Sequence, residues 1–101
     1  MTNPEKNLGE ETRVVTAGRD LKNYGGAVNP PVYHVSTILS HSVAELKVRS
    51  SREDAGEQKM AYGRRGTPTS WALENAVAEL EGGHRTLAYS SGLAAIAGAL
   101  L

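Results

Sequence analysis

Two short segments of this 101-residue sequence carry residue types suited to gripping an anion. The first is Tyr62-Gly63-Arg64-Arg65-Gly66-Thr67-Pro68-Thr69. Guanidinium groups bind phosphate or carboxylate through paired, charge-assisted hydrogen bonds, roughly twice as strong as neutral ones. The flanking glycines permit an unusual backbone path, and the Tyr62 phenol adds a donor. A solvated basic loop with Tyr62 packed as a surface aromatic has the same composition. The second segment is Ser90-Ser91-Gly92-Leu93, at the head of an apolar run. A helix starting there would aim unpaired N–H groups and a partial positive charge outward. Gly92 has no side chain to obstruct close approach, so such a turn accepts phosphate. An ordinary N-cap at a tight strand-to-helix turn looks alike.

Other chemistries find no support. A nucleophile elbow needs G-x-S-x-G, and Ala88 stands two before Ser90. No G-K-[ST] tripeptide occurs, so a P-loop is excluded. His34, His41 and His84 lack metal-ligand spacing. Glu74, Glu79 and Glu81 lie off the apolar stripe of their segment and read as a polar helix face, not a catalytic pair. Trp71, in a first helical turn, reads as a packing residue.

The elements that must position these segments can be read from the punctuation. Residues up to about Tyr24 are polar, with a small apolar patch at Val14 and Val15. Gly25-Gly26 and Asn29-Pro30-Pro31 favour an extended path. Val32 to Leu39 is β-branched and partly alternating, an extended arm or short strand. Ser42 and Glu45 form a capping-box pattern that predicts a short helix from Val43 to about Val48. Arg49 to Lys59, charged and aperiodic, reads as a solvated loop. Thr67 suits an N-cap and Pro68 the first helical position. Leu73, Ala76, Val77 and Leu80 then make an apolar stripe, which Gly82-Gly83 ends. Arg85 to Tyr89 predicts a short strand, and a second helix follows the Ser90-Ser91-Gly92 turn. Helix, strand and helix in that order predict an α/β unit with a mostly parallel sheet. One strand makes no sheet, so the partners must come from elsewhere.

Composition sets outer limits. Eleven basic and eleven acidic residues give a formal charge of zero, with no electrostatic case for nucleic acid or an anionic membrane. Cysteine is absent, which excludes disulfides and fits a reducing cytoplasm. The polar start is no secretory signal. The longest apolar stretch, Leu93 to Leu101, is too short to span a bilayer. That stretch ends without a cap or polar stop, which predicts a fragment whose last helix is covered by chain not present here.

Together the segments resemble the Cys/Met metabolism family of pyridoxal-phosphate (PLP) enzymes. The resemblance rests on Y-G-R-R-G-T-P-T at Tyr62 to Thr69, L-E-N-A-V-A-E-L-E-G-G at Leu73 to Gly83, S-S-G-L-A-A-I at Ser90 to Ile96, and G-A-V-N-P-P-V-Y at Gly26 to Tyr33. It implies an α/β fold of type I, of which this is the amino-terminal part. Residues 1–66 would be an extended arm with a short helix and a cofactor-contacting loop. Residues 67–101 would open the PLP-binding domain. It implies that the amides of Gly92 and Leu93 hold the cofactor phosphate. Tyr62 and Arg64 would reach the same phosphate from a neighbouring subunit, in a homodimer or homotetramer.

The resemblance also implies what lies elsewhere. None of Lys6, Lys22, Lys47 and Lys59 stands in the context of the family's cofactor-carrying lysine, so no catalytic residue is expected in this fragment. Many members carry Met where Leu93 stands, with little consequence for a backbone donor. The double arginine followed by Gly66-Thr67 resembles bacterial cystathionine β-lyases. The implied activity of a full-length protein is carbon–sulfur β-elimination of cystathionine to homocysteine, pyruvate and ammonia, in cytoplasmic methionine biosynthesis. The γ-synthases, γ-lyases and O-acyl-homoserine sulfhydrylases of the same family are the alternatives. By themselves these residues would be inactive, at most an oligomerisation arm, and a small phosphate-binding module is a weaker third idea.

Overall fold

The computed structural model describes residues 9–101. The first eight positions of the expected arm, Lys6 included, lie outside them. Four helices run in order: α1 (Glu10–Thr16), α2 (Val43–Asp54), α3 (Pro68–Glu81) and α4 (Gly92–Leu100), with a 3-10 turn at Gly63–Arg65 between α2 and α3. The chain divides into two compact units. One comprises Gly18–Leu73 and the other comprises α1 together with Glu74–Leu101.

In the Gly18–Leu73 unit the arm is tied down by specific bonds. The Thr69 hydroxyl donates to Pro31 O at 2.7 Å and accepts from Tyr33 N at 2.8 Å. Further along, Gly63 N donates to Ser36 O at 2.8 Å and Thr37 forms an isolated antiparallel bridge with Tyr62. Residues 31–40 carry no helix, and their pairing is that single isolated bridge.

Helix α2 begins as the capping pattern predicts, with Glu45 N donating to Ser42 Oγ at 3.1 Å. The reciprocal bond shifts by one residue, since the Glu45 carboxylate accepts from His41 N at 2.7 Å. The helix then continues six residues past the expected end, through Asp54, where a loop was anticipated. Ion pairs sustain it where apolar periodicity does not. Arg49 pairs with Glu45 one turn back at 2.9 Å and donates to Leu39 O at 3.3 Å. Such pairs stabilise a helix by about 0.3–0.5 kcal/mol each, too little to show as a hydrophobic pattern. Gly56, at φ +85°, closes it with the bonds Gly56 N to Glu53 O and Glu57 N to Arg52 O.

Helix α3 starts at Pro68 as predicted, with Ser70 accepting from Thr67 N at 3.1 Å. It ends in a Schellman motif, Gly83 N on Ala78 O and Gly82 N on Glu79 O, with Gly82 at φ +66°. Ala72 is its buried residue, while Leu73, Val77 and Leu80 of the expected stripe stay exposed. Trp71 packs against Gly66 as a structural residue.

In the other unit, Arg13 of α1 donates to Glu79 O at 2.6 Å and pairs with the Glu79 carboxylate at 3.7 Å. Helix α1 was not foreseen, because Val14 and Val15 alone give no helical period. The expected strand at residues 85–89 does not form. A strand needs a neighbour, and Ala88 N instead donates to the Glu74 carboxylate at 3.1 Å. Among the described residues there is no β-strand at all, so the α/β sheet is absent from this part of the chain. The apolar face of α4 is open, with Leu93 78% and Leu100 81% exposed. No helix among the described residues is long and apolar enough to cross a membrane.

Candidate functional site

The start of α4 is built locally. Ser91 is extended at φ −155°, ψ 161°, and its hydroxyl accepts from Ala94 N at 3.1 Å. Its carbonyl accepts from Ala95 N at 3.0 Å. The cap thereby uses one orphan amide of the helix start, that of Ala94, and Ala95 N makes the first regular helical bond. The amides of Gly92 and Leu93 have no acceptor among the described residues. A side chain built at Gly92 would meet nothing within 4 Å. The result is an open cradle with two uncommitted N–H donors at the positive end of a nine-residue helix. These are Gly92 and Leu93, the residues singled out in the sequence.

The Tyr62–Arg65 segment is built by long-range contact. Arg65 N donates to Tyr62 O and Gly66 N to Gly63 O, which makes the 3-10 turn. A Cβ at Gly63 would overlap the Val35 carbonyl of the arm, so only glycine fits. Gly66 is at φ +126°, a region closed to residues with a side chain, and there the Trp71 ring crosses it. The Tyr62 hydroxyl accepts from Ser36 Oγ at 3.1 Å, leaving its own proton for another acceptor. The Arg64 guanidinium lies 5.2 Å from the Tyr62 ring centroid, in cation–π range. It has no carboxylate partner among the described residues. The turn thus brings together Tyr62 and Arg64, and leaves both with donors to spare.

Sequence reasoning missed two contributors. Thr69, whose place in the motif suggests no role, staples the arm. Glu53, in a segment that reads as a loop, sits in the last turn of α2 with Arg65 Nη1 at 3.0 Å. The Gly56 stop signal was the available clue to that longer helix. No group of three or more potential metal ligands occurs among the described residues.

Open amides at a helix start and, separately, an uncommitted guanidinium each suit a phosphate group near charge −2. The sequence profile of the Cys/Met metabolism PLP-dependent enzymes matches residues 11–101, and the chain belongs to that family. The family implies pyridoxal 5'-phosphate as cofactor and fold type I, of which these residues are amino-terminal. Three relatives are each 40% identical to the chain. They are a cystathionine beta-lyase of Escherichia coli over 90% of the chain, an L-alanine/L-glutamate racemase of Wolbachia pipientis over 91%, and an O-acetyl-L-homoserine sulfhydrylase of Corynebacterium glutamicum over 92%. The chain covers 22%, 25% and 21% of those proteins respectively.

Proposed function

We propose that the whole protein containing these residues is a PLP-dependent carbon–sulfur lyase that splits cystathionine into homocysteine, pyruvate and ammonia. The observation that carries this reading is the Tyr62–Thr67 turn, with its double arginine, fixed shape and free donors. The sulfhydrylase likeness at equal identity keeps homoserine-ester chemistry as the second reading.

In this reading the Gly92 and Leu93 amides hold the cofactor phosphate of their own subunit. Tyr62 and Arg64 reach a neighbouring subunit's phosphate, so the site is shared within a homodimer or homotetramer. Bound PLP supplies an electron sink, and the protein supplies orientation. Residues 1–66 act as the arm and cofactor-contacting loop. Residues 67–101 open an α/β domain whose sheet is completed by strands outside these residues, and that sheet covers α4. The setting is cytoplasmic, in methionine synthesis, with a small sulfur amino acid as substrate.

The test is to prepare the whole protein with PLP and assay pyruvate release from cystathionine. Stoichiometric pyruvate and homocysteine support the β-lyase. Cofactor binding without pyruvate, together with homocysteine formation from an O-acyl-homoserine and sulfide, would move the assignment to the second reading.

A further inference from the structure

Two adjacent arginines at one turn raise the question of what each does, and the geometry separates them. Arg65 Nη1 donates to Glu53 Oε1 at 3.0 Å. The Glu53 side chain is only 12% exposed and the Arg65 side chain 56%, so the acid is the anchored member of the pair. Arg64 faces the Tyr62 ring instead. All four side chains line one open cavity of about 370 Å³, with Leu46, Ser50 and Ala61 of the same unit.

The turn transmits this pairing. A 3-10 helix has three residues per turn, so neighbouring side chains leave it roughly 120° apart. Holding the backbone of the turn at Arg65 therefore sets the direction in which the Arg64 side chain leaves it. Glu53 lies in the last turn of α2, itself held to the arm through Arg49 and Leu39 O. The pair ties the end of that helix to the turn. It also cancels one of two adjacent positive charges, leaving Arg64 as the cation without a carboxylate.

We propose that Glu53 is a positioning residue. Through Arg65 it clamps the turn and presents Arg64 and Tyr62 to the cofactor phosphate, while Arg65 itself stays off that phosphate. This rests on the phosphate-binding role proposed for Arg64. It concerns a different contact and is separable by experiment.

The test uses the whole protein and the PLP dissociation constant, read from cofactor absorbance after dialysis, with urea midpoints measured alongside. Glu53→Gln and Arg65→Gln should each weaken PLP binding by about two- to five-fold, the range of a partly exposed ion pair. The double variant should lose no more than either single one, because both remove the same contact. The swap Glu53→Arg with Arg65→Glu should recover affinity. Weakening by Arg65→Gln but not by Glu53→Gln would overturn the proposal, since Arg65 would then be touching the anion directly. So would additive losses, or tighter binding in Glu53→Gln. Arg64→Ala separates the two levels. A loss there with none at Glu53 sinks the clamp alone, and no loss there sinks the phosphate site and the clamp with it.

Discussion

The start of α4 and the Tyr62–Arg65 turn offer donors to the same kind of guest, but they are made differently. At α4 the donors are backbone amides, and everything that aims them lies within five residues, from Ser91 to Ala95. At the turn the donors are side chains. Their placement depends on the arm through Val35 and Ser36, on α2 through Glu53, and on α3 through Trp71. A backbone site tolerates side-chain change wherever the side chain is out of the guest's way, as in Leu93→Met, and needs a helix that starts in the right place. A side-chain site is specific but inherits every weakness of the contacts behind it.

The difference can be broken most severely at Gly63. Gly63→Val should drive a side chain into the Val35 carbonyl and cost about 3 kcal/mol, the upper range for overpacking, with the turn displaced. Urea unfolding of the whole protein measures it, and an unchanged midpoint would show that the arm does not press on the turn. Next in size, Arg64→Ala should weaken PLP binding by about ten-fold or more with little change in that midpoint, the loss expected for a hydrogen bond to a charged group. At α4, Ser91→Ala should cost about 1 kcal/mol by removing the cap on Ala94 N.

Smaller effects sharpen the contrast. Gly92→Ala meets no protein atom, so stability should hold, while on the proposed reading cofactor affinity falls because the new methyl enters the phosphate's space. Equal affinity would mean that the cradle is not used. Leu93→Met should change neither quantity, as a backbone donor requires.

A pH effect belongs to the elements supporting the turn. The backbone hydrogen bond from His41, against a smaller opposing effect of desolvation and aided by Arg49, holds the Glu45 carboxyl below its ordinary value of 4.5. A lowered folded value means the stabilisation is complete above that ordinary value. It is lost as pH falls through the lowered one. Wild type should therefore exceed Glu45→Gln in urea midpoint at neutral pH and lose that advantage in acid. An advantage that persists in acid would deny the carboxylate its part.

What the sequence made legible follows the same division. Ser42, Pro68, Gly82 and Ser91 mark helix ends by local chemistry, and the structure uses all four. The Gly92 and Leu93 amides are free because Ser91 takes the next two, which a reader of local sequence can foresee. The rest was hidden for physical reasons. The second half of α2 is held by charge pairs without an apolar stripe. Helix α1 depends on Arg13 meeting Glu79, sixty-six residues away. The expected strand at residues 85–89 does not form, because a strand needs a neighbour to pair with and none is present among the described residues. Glu53 is separated from Arg65 by twelve positions, and no pattern links them.

Mixing two damaged proteins probes the proposed shared grip most directly. A whole-length Arg64→Ala variant and a Gly92→Val variant, each defective in retaining PLP, are unfolded together and reassembled. If one phosphate is held by amides of one subunit and the guanidinium of the next, mixed assemblies contain an intact site, and cofactor binding returns above that of either parent. Recovery no greater than in the separately refolded parents would contradict the account.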